Sequence, residues 1–243
     1  LNEDIPRSLA PGGRLDSLLT VGSDNADKVS WVADPQLLQV VQDMAGGYQV
    51  RNGETLSVGD SSTESGQWIS RLKDALLASQ DLDSVKSGKS DRLPLRVTPY
   101  ADIDAGAVTG AGMETNVVLS TTMAAGVASS VLEQAVSGTL YWAPSGRLNR
   151  ETGDLLASSG VRTVILRANA LSPSQPNTIS TGLGVLGTTY GGMNAVLIDP
   201  GLSTTLGLNQ SSQSNAILMR QRFLAETALM SQLIRKDAPS RMV

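Results

Sequence analysis

The sequence predicts an α/β fold, a (β/α) barrel-like arrangement of parallel strands with outer helices, the barrel incomplete or distorted. Three observations lead there. Short β-branched runs alternate with longer stretches of helical apolar spacing, the pattern of right-handed βαβ units around a parallel sheet. Five or more such units follow one another with short connections. No strand end carries a dinucleotide fingerprint or a P-loop, which removes one reason to prefer a doubly wound sheet. The whole length, 243 residues, is expected to form a single domain.

The first strand is placed at 29–33 (VSWVA), closed by Asp34-Pro35. Asp34 suits a helix N-cap and Pro35 a first turn, so a helix is expected over 35–45, with Leu37, Leu38, Val41 and Met44 at helical spacing and Gly46-Gly47 as its stop. Residues 52–65 read as a polar loop, and 64–79 as a second helix with Trp68, Ile69, Leu72, Leu76 and Leu77 on one side. The polar stretch 80–92 reads as a loop and 93–98 as the second strand, with Pro94 tolerated near its start. A short helix over 103–111 precedes a third strand at 116–119. Ser120, Thr121 and Thr122 then cap a helix over 123–136 that Gly138 follows. A fourth strand at 139–142 ends in Ala143-Pro144-Ser145-Gly146, a helix spans 149–159, and a fifth strand runs over 162–167. The Gly/Thr/Ser-rich 174–192 is expected to hold a strand or hairpin. A strand at 194–198 closes with Asp199-Pro200-Gly201, and a long amphipathic helix covers 212–235.

The chain contains no histidine and no cysteine. That removes the usual general base near neutral pH, the thiolate nucleophile, the disulfide and any His- or Cys-ligated zinc. No metal and no cofactor is expected. Aromatic residues make up only 3% of the chain, so the core must be built from Leu, Val, Ile and Ala. A net charge of −4 argues against a nucleic-acid partner, whose footprint is a basic face. No apolar run in the sequence approaches the roughly 20 residues of a membrane span, and the first residues lack the layout of a signal peptide.

Polar and aromatic residues gather where the strands end: Asp34, Tyr100 and Asp102, Tyr141 and Trp142, Arg167 and Asn169, Asp199. In a parallel α/β architecture these ends share the face that carries ligand sites. The functional reading is a carbohydrate-type site. Asp34, Asp102 and Asp199 are the candidate acids, because glycoside chemistry runs on two carboxylates without histidine. Tyr141 and Trp142 form a stacking platform, Arg167 orients the ligand, and Tyr100 and Asn169 complete the ligand-binding set. The plainer reading of Asp34 and Asp199, each followed by Pro, is helix capping. Asp102 and Asp104 also precede a helix, and either could cap it. A semi-buried Arg167 would need a carboxylate, Asp199 or Asp102. No nucleophile elbow occurs, and no lysine adjoins a strand-end serine.

The phrases GGRLDSLL, WVADPQLL, PYADID, LYWAPSG with the following LLASSGV, and RFLAETALM resemble a family of large exported, membrane-anchored actinobacterial proteins of unknown function. The resemblance implies an N-terminal extracytoplasmic domain. It also implies cell-envelope work, since the family's genes often lie near the one for a lipid II flippase. Members typically carry a further strand before the GGRL phrase and one beyond the present end, so the chain is expected to be a piece of a larger protein, anchored to a membrane only through segments outside it. More distantly, the order of elements is similar to the barrel of polysaccharide deacetylases and related glycoside hydrolases. LYWAPSG stands where such enzymes carry an Arg-Pro-Pro-Tyr-type strand end, and WVADP is a loose counterpart of their Asp-bearing strand. Those deacetylases hold their metal with an Asp and two His, and this chain has no His. The expected role is therefore non-catalytic binding or scaffolding at the envelope, with a cell-wall glycan or another envelope protein as partner. A glycoside-hydrolase-like enzyme using the strand-end Asp residues is the alternative.

Overall fold

The structure is a computed structural model that describes residues 4–26, 29–87, 95–136, 138–170, 182–206 and 213–233. In chain order the elements are α1 (Asp4–Leu9), α2 (Arg14–Asp24), β1 (Trp31–Ala33), α3 (Pro35–Ala45), β2 (Gln49–Asn52), β3 (Thr55–Val58), α4 (Ser62–Ser87) and β4 (Leu95–Val97). A single 3-10 turn, Tyr100–Asp102, leads to α5 (Ala105–Gly110), α6 (Glu114–Leu132), β5 (Leu140–Trp142), α7 (Arg150–Ser158) and β6 (Thr163–Arg167). After a second 3-10 turn, Ala168–Ala170, come β7 (Leu183–Thr188), β8 (Gly191–Ile198), α8 (Pro200–Leu206) and α9 (Gln213–Leu233).

The expected barrel is not there. The described strands form a parallel pair β1-β4, an antiparallel pair β2-β3, and a four-stranded mixed sheet in the order β5-β6-β8-β7. A barrel needs every strand paired on both sides, but among the described residues β7 pairs only with β8, and runs antiparallel to it. The alternation that suggested a barrel also miscounts. The run 116–119, expected as a third strand, lies inside α6. Its burial recurs at Val117, Ser120, Thr121, Ala124, Ala128, Val131 and Leu132, a helical stripe rather than a period of two. A short apolar run fits either a strand or a buried helix, and here the longer register decides. α6 is also the one described helix long and apolar enough to cross a membrane by length and composition. Of its apolar window 33% is buried, and Val118 and Leu119 are exposed.

Other differences are local. The expected loop over 52–65 contains a hairpin, with Asn52 opposite Thr55 and Gly53 at φ +62 in its two-residue turn. The start of the expected strand at 93–98 lies outside the described residues, as do 88–92 of the expected polar loop, while 80–87 continue α4. Within 174–192, the part from 182 onward holds the β7-β8 hairpin.

The chain divides into two compact units, Leu1–Ile103 with Thr115–Thr139, and Asp104–Glu114 with Leu140–Val243. The first has a continuous apolar core. Leu38, Val41 and Met44 of α3 meet Trp68, Ile69, Leu72 and Leu76 of α4, Leu95 and Val97 of β4, and Ala124, Ala128 and Val131 of α6. Asp34 caps α3 by accepting from the Gln36 N–H at 2.9 Å, with Pro35 in the first turn and Gly46 at the end. In the second unit the sheet is built on β6 and β8, paired in parallel from Thr163↔Asn194 to Arg167↔Ile198. Val164, Ile165, Leu166, Met193, Ala195 and Leu197 are buried there. Asn149 caps α7 through the Thr152 N–H at 2.8 Å, and Asp199 caps α8 through the Gly201 and Leu202 N–H groups at 2.8 and 3.1 Å.

Candidate functional site

The carboxyl ends of β5, β6 and β8 lie side by side in the second unit, because β5 pairs in parallel with β6 and β6 with β8. A depression of about 260 Å³ opens there, lined by Trp142, the Ala143–Gly146 turn, Arg167, Ile198, Pro200, Ser203 and Thr204. Trp142 is the last residue of β5 and stands 45% exposed, so its indole face is available. Arg167 is the last residue of β6 and is also exposed. Its backbone N–H donates to the Gly146 carbonyl at 2.9 Å. Its side chain lies across Gly146, where a Cβ would come within 2.7 Å of Arg167 Cδ and 2.9 Å of Nε. Gly146 sits at φ +70, so the turn both needs glycine and leaves the room the arginine occupies. Among the described residues Arg167 has no ion pair, with Asp199 or any other carboxylate of its unit.

Tyr141, the neighbour of Trp142, is 1% exposed and faces the other way. Its hydroxyl accepts from the Ala105 N–H at 3.0 Å. It borders a second cavity of about 470 Å³, lined also by Asp104, Ser145, Arg147, Asn149 and Thr152. This space is larger, but much of its polar lining is committed. Asp104 caps α5 through the Ala107 N–H at 3.0 Å, Asn149 caps α7, and Ser145 hydrogen-bonds both backbone groups of Arg147. The smaller depression, with an exposed ring and an unpaired cation, is the better candidate site. Asn169 is exposed in the 3-10 turn after β6 and does not line it.

The remaining expected residues lie in the first unit, at the ends of β1 and β4. Besides capping α3, Asp34 accepts from the Ala101 N–H at 3.0 Å. Ala101 and Asp102 both have left-handed backbones, φ 66 and 42. Tyr100 donates to Gln39 Oε1 at 2.9 Å, and its carbonyl accepts from the Ser120 hydroxyl at 2.6 Å. Burial pushes the Asp34 carboxyl above its ordinary range, the Gln36 and Ala101 N–H groups pull it back, and the charge of Asp102 raises it further. Desolvation likewise raises Asp102, with the Thr98 hydroxyl acting in the opposite direction. The structure thus brings Trp142 and Arg167 together in one unit, and Asp34, Tyr100 and Asp102 together in the other. Among the described residues no group of three or more Asp, Glu, His or Cys is placed to hold a metal ion.

Sequence reasoning missed Gly146, Ser203 and Thr204. The turn Pro144-Ser145-Gly146 was visible as punctuation, and Asp199-Pro200 announced a capped helix, α8, that carries the two hydroxyl residues.

These features define a mixed α/β protein of two compact units with a small polar and aromatic depression at the strand ends of the second. The chain belongs to the Family of unknown function (DUF6049), which matches residues 16–239. No curated protein matches it significantly.

Proposed function

We propose that this chain is a non-catalytic binding module of the cell envelope and that the depression at Trp142 and Arg167 holds a glycan. One observation carries the reading: an exposed indole and an unpaired guanidinium share one depression, with the hydroxyl residues Ser203 and Thr204 on its wall. A sugar offers a C–H face that stacks on a ring and hydroxyls that accept from a guanidinium. Among the described residues no carboxylate lines the depression, whereas glycoside hydrolysis places two of them across the scissile bond. Asp199, the nearest in sequence, serves as a helix cap. The envelope location comes from the resemblance of the strand-end phrases. The test is to titrate peptidoglycan and arabinogalactan fragments against the wild type and Trp142→Ala by calorimetry. Binding that weakens about tenfold in the variant, the loss of about 1.4 kcal/mol of stacking and contact, is expected. No binding, or equal binding by the two proteins, counts against the reading.

A second reading, a glycoside-hydrolase-like activity, is favoured by Asp34 and Asp102 in the first unit, where the charge of Asp102 helps to raise the Asp34 carboxyl. It requires turnover of chromogenic glycosides that Asp102→Asn abolishes while the fold is retained.

A further inference from the structure

Resting on the glycan reading of the same depression, we propose that its ligand is an acidic saccharide, one whose carboxylate or phosphate pairs with Arg167 while a sugar face lies on Trp142. Among the described residues Arg167 is the only charged one lining the depression, and no described carboxylate neutralises it. A neutral sugar would use one or two of its five donors; an oxyanion takes two in the parallel fork that guanidinium geometry favours.

The cation is also held in place. Its stem lies on the bare face of Gly146, and its backbone N–H is tied to the carbonyl of the same residue at 2.9 Å. Part of the rotamer entropy that an exposed arginine loses on binding is therefore already lost. The one carboxylate adjoining the lining in sequence, Asp199, is turned into the first turn of α8, accepting from Gly201 and Leu202. Thr204 donates to the Pro200 carbonyl at 2.7 Å. The Ser203 hydroxyl, which makes no described hydrogen bond, is left to meet the sugar.

The test compares a neutral hexose trisaccharide with the same trisaccharide oxidised to the uronate at C6 and with its 6-phosphate, using the full chain at low salt. The acidic forms should bind about tenfold or more tightly than the neutral one, the worth of a charge-assisted pair, and the preference should shrink as salt rises. Whichever acidic form binds tighter identifies the oxyanion. Arg167→Gln, at an exposed position, should abolish the preference for the acidic forms, so that all three saccharides bind with one similar affinity. Gly146→Ala should do the same by displacing the arginine stem. Equal affinity for neutral and acidic forms in the wild type overturns the proposal while leaving the glycan reading intact. So does a preference that survives Arg167→Gln. If no trisaccharide binds, or if acetate and inorganic phosphate bind as tightly as the saccharides, the glycan reading falls and the proposal with it.

Discussion

Removing the Asp34 side chain should destabilise the first unit, and the structure says by how much. Asp34 Oδ1 accepts two backbone hydrogen bonds, from Gln36 at 2.9 Å and from Ala101 at 3.0 Å. The first is the N-cap of α3, whose loss costs about 1 kcal/mol. The second holds the Tyr100–Asp102 turn, where Ala101 sits at φ 66 and has every reason to relax once released. The carboxylate is half-buried, so water replaces part of this second bond, and its loss costs about 1 kcal/mol rather than the full value of a bond to a charged group. Asp34→Ala should therefore lose about 2 kcal/mol, or about 4–8 °C in melting temperature. Asp34→Asn keeps an acceptor oxygen in the same place, and Asn caps as well as Asp. It also removes a charge that burial and Asp102 disfavour. It should match the wild type or exceed it slightly at neutral pH. Urea unfolding followed by tryptophan fluorescence reads both variants. An Ala variant within about 0.5 kcal/mol of wild type, or an Asn variant as unstable as Ala, refutes the reasoning.

Three further outcomes follow from the packing and the charges. Gly22→Ala should cost about 1–3 kcal/mol, because a Cβ there would come within 2.5 Å of Trp31 Cζ2 and closer still to Cη2, and Trp31→Leu should rescue it in thermal melts. Gly53→Ala should cost about 1 kcal/mol through backbone strain alone, since its φ is +62 and no atom lies within 4 Å of the added Cβ; amide exchange should rise in the β2-β3 hairpin. The carboxyls of Asp34 and Asp102 are raised above the ordinary value of 3.8, so between the unfolded and folded values the native state holds more protons and stability falls as pH rises. Asp34→Asn should flatten that fall in urea midpoints measured across the acid range. Asp16, Glu133 and Asp154, lowered by hydrogen bonds and ion pairs, act oppositely. Their contribution is present above the unfolded value and lost as pH falls through the folded one, and their exposure keeps it small.

The helix ends were the most legible part of the sequence. Asp34-Pro35 with Gly46 bounds α3, and Asn149 opens α7, because caps are local chemistry and need no partner elsewhere in the chain. The two-residue turn at Gly53 was equally local, an Asn-Gly step flanked by short alternating runs, and treating the whole of 52–65 as polar loop overlooked it. What could not be read locally was which strands pair. β6 joins β8 across the intervening β7 hairpin, and β1 joins β4 across α3, a hairpin and α4, so both pairings are long-range. The strand 116–119 failed for a different reason. Its Val-Val-Leu run satisfies either period, and only the recurrence at Ala124, Ala128 and Val131 shows that the helical period continues through it. Trp142 and Arg167, which line one depression, were legible as candidates because each ends a strand. Pairing Tyr141 with Trp142 as one platform was avoidable. Successive strand residues point to opposite faces, and Tyr141 is accordingly buried while Trp142 is exposed.

The lack of histidine and cysteine acquires a chemical consequence at the depression. The described residues lining it include no imidazole and no thiol. Any pH dependence of binding there must then come from the ligand. A uronate, with a carboxyl pKa of about 3.5, should bind with constant affinity down to about pH 4 and be lost below it. A sugar phosphate, whose second ionisation lies at about pH 6, should show a step there instead. Titrating both against the full chain by calorimetry at several pH values separates the two. A neutral saccharide that showed a step near neutrality would require a titrating protein group in the depression, and would refute the assignment of the pH dependence to the ligand.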